Sequence, residues 1–252
     1  MIKISNYSFR YNKNSQYILK DVNFVVADNT VSILLGNNGV GKTTLLKSIS
    51  GVLKTFDGRI IVDGHDVSTT SNKKLARVVS YVFQNNNETN LSVYDSILLG
   101  RTPYINLYPT KKDHEIVSSL IKEFNLEDFS SYSFASLSGG YKQKVMIARA
   151  IASEAKLFLF DEIFSNLDIS NKLFIFNVIK ELKKRGKTVF IALHDLNDAL
   201  VLGDYFYILK DSKIMAEGSK KIINKSNILK AYNIDVEITK IKGDEYVIYK
   251  KN

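Results

Sequence analysis

The chain has 252 residues, 45% hydrophobic and 24% charged, a balance typical of a globular protein long enough to bury a substantial core. It contains no cysteine, which excludes a disulfide scaffold, a thiol nucleophile and any cysteine-held zinc or iron–sulfur centre. Lys and Arg outnumber Asp and Glu by 35 to 26, a net charge of +9, but the lysines are scattered as on a solvated surface and trace no groove.

In chain order, 2-IKISNYSF-9 and 21-DVNFVV-26 read as short strands, and 31-VSILLG-36 as a buried strand ending in glycine. The segment 43-TTLLKSIS-50 places Leu45, Leu46 and Ile49 on one helical face, with Gly51 suited to cap it. Strands follow at 58-GRIIVDG-64 and 78-VVSYVF-83. From Asp113 to Ser153 the spacing turns helical, with Ile116, Leu120, Ile121 and Phe124 in one stripe. Buried strands return at 156-KLFLFD-161 and 187-KTVFIAL-193, on either side of the amphipathic helix 171-NKLFIFNVIKELKKRG-186. A hairpin turning at Asp211 and Ser212 is expected within 205–218, then a short helix near 226–233 and a second hairpin through Gly243 and Asp244.

Strands alternating with helices predict a mostly parallel sheet, an α/β fold in which one core carries a helical insertion. The two prolines, Pro103 and Pro109, share one stretch, and no linker or repeat divides the chain. The longest apolar runs hold about five residues against the roughly 20 that span a bilayer, and the N-terminus lacks the apolar segment of a signal peptide. His65, His114 and His194 lie too far apart for a compact metal motif.

The segment 36-GNNGVGKT-43 fits G-x4-G-K-[ST] at every fixed position, with a predicted strand before it and a helix after. Glycines let the backbone aim its N–H groups at phosphate oxygens, and the helix N-terminus adds a favourable dipole. Lys42 reaches the β- and γ-phosphates as a point charge, and the Thr43 hydroxyl is placed to ligate Mg²⁺. Strand 156-KLFLFDE-162 carries Asp161 to the sheet edge where α/β folds bind ligands. There Asp161 would complete a magnesium shell, and Glu162 would polarise an attacking water.

A third segment, 137-LSGGYKQ-143, opens an amphipathic helix with Val145, Met146, Ala148 and Ile151 inward, so Ser138, Gly139 and Gly140 offer N–H groups to an anion. With the first two it makes the chain resemble the nucleotide-binding subunits of ABC transporters, whose signature is LSGGQ-like. The resemblance covers essentially the whole chain. It implies a P-loop NTPase core (about 1–84 and 155–218) with an N-terminal antiparallel β subdomain. An inserted helical subdomain (about 85–154) and a short C-terminal extension (219–252) complete the expected organisation.

It further implies ATP and Mg²⁺ as cofactors, with catalysis by Glu162, His194, Gln84 and Lys42 and metal contacts from Thr43, Gln84 and Asp161. Nucleotide contacts are expected from Tyr11, stacking on adenine 25 positions before Gly36, and from Gly36, Asn37, Asn38, Gly39, Val40, Gly41, Lys42, Thr43 and Thr44. Ser138, Gly139, Gly140 and Gln143, with Asp168 of the D-loop-like 165-SNLD-168, would contribute across a head-to-tail dimer. Two departures stand out: Tyr141 replaces the usual glutamine, and Ile163 the proline that often follows the catalytic glutamate.

The partners implied are a second copy of the chain, a separate membrane permease and, indirectly, an extracytoplasmic solute-binding protein, with the subunit peripheral on the cytoplasmic side of the membrane. The segment 97-ILLGRTPYI-105 is similar to the LGR-x-P-Y stretch of iron–siderophore, haem and cobalamin importer ATPases. An exporter ATPase is the alternative. Nucleic acid is not expected as a partner, because Lys42 and Asp161 are too close in sequence for the coiled coils of DNA-end ATPases.

Overall fold

Every residue from Val31 to Leu35 is buried, which requires cover on both faces of the strand. A sheet clothed on each side supplies it. The computed structural model describes residues 2–54, 56–83, 89–165 and 167–249. Its first third forms β1 (Ile2–Phe9), β2 (Leu19–Val26), β3 (Val31–Leu35), α1 (Lys42–Ile49), β4 (Asp57–Val62), β5 (His65–Asp66), α2 (Asn72–Leu75) and β6 (Val79–Val82). The middle contains α3 (Val93–Leu98), α4 (Lys111–Glu123), α5 (Gly139–Ala152), β7 (Leu157–Asp161), α6 (Ile169–Lys184) and β8 (Thr188–Leu193). The chain ends in α7 (Leu196–Leu202), β9 (Tyr205–Lys210), β10 (Lys213–Gly218), α8 (Lys225–Tyr232), β11 (Val236–Ile241) and β12 (Asp244–Tyr249).

Six strands form the main sheet in the order β10-β9-β3-β8-β7-β6, parallel from β9 to β6, with β10 antiparallel at one edge. A second, antiparallel sheet runs β2-β1-β4-β5, so the expected α/β architecture with an antiparallel N-terminal sheet is present. Leu34, Leu159 and Phe190 face α1 and this second sheet in one core. Ile33, Leu35, Phe160 and Ile191 face the helices in the other. Helices α3, α4 and α5 pack on one another, and the β11–β12 hairpin rests on α7 and α8.

The turn between β9 and β10 falls on Asp211 and Ser212, both with positive φ (47° and 66°), as a two-residue hairpin turn demands. The second hairpin turns on Lys242 and Gly243 (φ 52° and 93°), one residue before the expected 243–244, and Ile241 pairs with Asp244 across it. On α4, which starts at Lys111 behind a capping box between Thr110 and Asp113, the buried stripe is Val117, Leu120 and Ile121, with Ile116 partly buried against the same core. Among the described residues no helix is long and apolar enough to cross a membrane.

Candidate functional site

Strand β3 delivers its last residue to Gly36, and the chain passes through three positive-φ glycines, Gly36 (152°), Gly39 (79°) and Gly41 (111°), before α1 begins at Lys42. Gly36 has no room for a side chain: a Cβ there would lie 2.5 Å from the Leu209 carbonyl oxygen. The loop therefore closes over its own lysine. Lys42 Nζ, only 4% exposed, donates to the carbonyls of Gly36 (2.8 Å) and Asn37 (3.2 Å) and stands 3.4 Å from Glu162 Oε1. An anion entering this loop meets an ammonium already desolvated and aimed by the backbone, in surroundings where a charge-assisted hydrogen bond is strengthened.

Lys42, Thr43, Thr44, Asn38 and Tyr11 line one cleft of about 420 Å³ together with Glu162. Tyr11 is 58% exposed, braced edge-on by Phe9 (5.0 Å), and its hydroxyl lies 3.4 Å from Thr44 Oγ1. Its ring is thus free to take a flat apolar partner beside the phosphate loop. Val40 packs into the core, and Asn37 turns away from the cleft, donating through Nδ2 to the Ala231 carbonyl of α8 (3.2 Å).

Asp161 is the last residue of β7, and β7 lies two strands from β3, with β8 between. Its Oδ2 accepts from the Tyr81 hydroxyl at 2.9 Å, and the Thr43 hydroxyl lies close enough to favour the charged carboxyl. Oδ1 is buried without a hydrogen-bond partner. Burial raises the pKa of this carboxyl; the Tyr81 hydrogen bond, the Thr43 hydroxyl and the Lys42 charge oppose the rise. A buried carboxylate oxygen with an open lone pair, next to a hydroxyl, is a hard-oxygen donor set that fits Mg²⁺. Beyond it the chain bends sharply: Glu162 adopts φ 50°, rare for a residue with a Cβ, while Ile163 anchors in the core. Ser165 N–H and Oγ–H close the turn onto the Glu162 carbonyl (3.3 and 3.0 Å).

His194 is exposed just beyond β8 and shares a smaller cavity, about 180 Å³, with Glu162, Ser165 and Asp198. Gln84 lies outside the described residues. Ser138, Gly139 and Gly140 begin α5 at the surface, but the Ser138 side chain makes no cap hydrogen bond, so side chains leave the first N–H groups of this 14-residue helix uncapped. None of the three lines the Lys42 cleft among the described residues. Asp168 caps α6, accepting from Asn171 N–H (2.7 Å), Ser170 Oγ (2.8 Å) and Asn171 Nδ2 (2.8 Å). The Asn171 amide in turn packs against Gly140, where an added Cβ would sit 2.4 Å from Nδ2. Gln143, expected with the nucleotide contacts, is 7% exposed and turned into the helix packing, its Nε2 unpartnered; within one chain it is not on the exposed face of α5.

Two features escaped the sequence reading. Tyr81 looks like any strand aromatic, since its contact with Asp161 spans 80 positions. The α8 brace on Asn37 spans 194.

Residues 19–165 match the family described as ABC transporter. The chain is 38% identical over 249 residues to an uncharacterized ABC transporter ATP-binding protein of Methanocaldococcus jannaschii, covering 98% of this chain and 97% of that one. It is 30% identical over 252 residues to the petrobactin import ATP-binding protein of Bacillus subtilis, covering 99% of both. Among solved structures it resembles a dimeric ATP-binding cassette in a post-hydrolysis state bound to ADP and Pi, with a TM-score of 0.78 and 27% identity over 87% of this chain and 98% of that one. With the phosphate loop, the acidic strand end and the open α5 terminus in place, the chain belongs to the ABC transporter family as an ATPase subunit that couples ATP hydrolysis to transport.

Proposed function

We propose that two copies of this chain sandwich two ATP molecules and drive a separate permease that imports an iron chelate or cobalamin. The observation that carries the sandwich is the separation of the two anion sites. Lys42, Thr43 and Glu162 converge on one cleft, with Asp161 buried behind it beside Glu162, while the uncapped N-terminus of α5 opens elsewhere on the same chain. In this reading Lys42 holds the β- and γ-phosphates from one side, and Ser138, Gly139 and Gly140 of the partner subunit close on the γ-phosphate from the other. Tyr11 stacks on the adenine.

Thr43 and Asp161 hold Mg²⁺, which when bound neutralises charge on the transferring phosphoryl group. Glu162 takes a proton from the attacking water as its oxygen bonds to the γ-phosphorus and the bond to the β-phosphate oxygen breaks, releasing ADP. His194, in the smaller cavity that shares Glu162 with this cleft, senses the γ-phosphate. The expected division into a core (1–84 and 155–218), a helical subdomain (85–154) and a C-terminal extension (219–252) belongs to this proposal. So does a peripheral place at the cytoplasmic face of the membrane.

The importer class is supported by the petrobactin relative and by the 97-ILLGRTPYI-105 stretch. A groove of about 600 Å³ beside that stretch supports a permease partner. It is lined by Val79, Leu99, Pro103 and Met146 with Lys73 and Arg149, and by no carboxylate among the described residues. The Arg149 guanidinium is largely buried there, with no hydrogen bond or ion pair among the described residues. An apolar segment carrying an acidic side chain complements such a groove.

Co-purification of the chain with the permease encoded beside it, followed by uptake of labelled ferric siderophore and cobalamin by the reconstituted complex, tests the reading. ATP-dependent uptake of either supports it. Export of solute in place of uptake overturns the importer class.

A further inference from the structure

The magnesium reading leaves one contact unexplained. Asp161 has two carboxylate oxygens in different circumstances: Oδ2 is taken by the Tyr81 hydroxyl at 2.9 Å, and Oδ1 is buried without a hydrogen-bond partner. A carboxylate free to rotate exchanges its oxygens. A hydrogen bond to one of them fixes which oxygen is left open for a cation beside Thr43. Tyr81 stands on β6, the strand hydrogen-bonded to β7, and its ring is held against Phe83 just past the strand's end (centroids 4.3 Å apart). The donor and the carboxylate it orients thus stand on adjacent parallel strands, whose register tolerates little play.

We propose that Tyr81 is a positioning residue for the divalent cation: its hydroxyl holds Oδ2 of Asp161 so that Oδ1 is presented as the ligand. This rests on the reading of Asp161 as a magnesium ligand. Outer-shell donors of this kind typically change metal affinity by ~10–100-fold when removed.

The test uses full-length chain carrying Glu162→Gln to suppress hydrolysis, saturated with ATP, and Mn²⁺ titrated with detection of the free ion by electron paramagnetic resonance. Tyr81→Phe keeps the ring, its packing on Phe83 and its place in the groove wall, and removes only the donor. Expected is Mn²⁺ affinity weakened by ~10–100-fold, with ATP affinity in EDTA unchanged. In the hydrolysing background the Mg²⁺ concentration for half-maximal rate should rise while the saturated rate holds within about threefold, a split that general loosening of the site does not produce.

Mn²⁺ affinity within twofold of the parent overturns the proposal, and so does an equal loss of ATP affinity in EDTA, which marks a structural role. Asp161→Asn in the same titration separates the two levels. If it weakens Mn²⁺ and Tyr81→Phe does not, only the positioning role fails. If Asp161→Asn also leaves Mn²⁺ binding intact, the magnesium reading fails with it.

Discussion

Arg101 is the buried charge of the 97-ILLGRTPYI-105 stretch. It is 2% exposed, and its guanidinium donates to Asp113 Oδ1 (2.8 Å), the Ala152 carbonyl (2.7 Å) and Glu154 Oε2 (2.7 Å) while lying 4.3 Å over the Tyr104 ring. In Arg101→Met the volume is largely kept and the charge is lost. Removing one partner of a buried pair costs about 3–5 kcal/mol. Two features place this site at the lower end. Asp113 still accepts from the Thr110 backbone N–H and hydroxyl, and Glu154, 46% exposed, rehydrates at small cost. The expected loss is about 3 kcal/mol, or roughly 6–12 °C in melting midpoint for a chain of this size.

Adding Asp113→Asn discharges the buried carboxyl while keeping an acceptor for the Thr110 N–H, and should recover part of that loss, read by calorimetry and by denaturant midpoint. The pH dependence gives a second reading. The Thr110 hydroxyl, then Arg101, holds Asp113 down at about 2 from its ordinary 3.8. A depressed carboxylate stabilises the fold above its unfolded pKa and loses that contribution as pH falls through its folded one. The stability gap between wild type and Arg101→Met should therefore be complete above about pH 4 and shrink towards pH 2. A single-variant loss under about 1 kcal/mol, or a double variant no better than the single, refutes the buried-pair argument.

Four other outcomes are expected. Glu162→Gln lowers phosphate release by ~10²–10⁴-fold, leaves ATP bound and shifts light scattering to a dimer; unchanged turnover removes the general-base role. Lys42→Ala weakens ATP binding by roughly 10–100-fold in calorimetric titration, the worth of a charged hydrogen bond. Gly36→Ala drives a Cβ to 2.5 Å from a backbone oxygen at φ 152° and should cost about 1–3 kcal/mol along with nucleotide affinity; a melting midpoint equal to wild type would mean the loop gives way freely. Tyr104→Ala, which uncovers Arg101 and Arg77, is expected to lower uptake by the reconstituted complex while permease-free ATPase holds; full uptake counts against a permease contact there.

What could be read from the sequence is what a short stretch of backbone decides. The phosphate loop depends on glycines at fixed offsets between a strand and a helix, and 36-GNNGVGKT-43 shows all of them. Buried parallel strands announce themselves as unbroken apolar runs, as in 157-LFLF-160 and 189-VFIAL-193. Contacts between distant segments left no such mark. The Tyr81 hydroxyl on Asp161 depends on β6 and β7 being neighbours, although α3, α4 and α5 intervene in sequence. The brace from Ala231 to Asn37 depends on α8 folding back under the loop. Helix spacing marked α5 as amphipathic yet gave no sign that Gln143 is drawn in with the apolar residues, because periodicity reports a face and not how much of it a neighbour covers.

Tyr141, where the family signature has glutamine, shows the same limit from the other side. Its ring packs on Phe129 with centroids 4.4 Å apart, and Lys144 spans from it (5.2 Å) to Phe174 on α6 (4.8 Å). The residue therefore joins α5 to the turn after α4 through apolar and cation–π contact, a task for which an aromatic ring serves better than an amide. In the proposed sandwich, the groups offered to the partner's nucleotide are the N–H groups of the residues before Tyr141, which any side chain at 141 leaves in place. A substitution that looks like a lost functional group in the linear motif is, in the fold, a packing choice that ties α5 to the turn after α4.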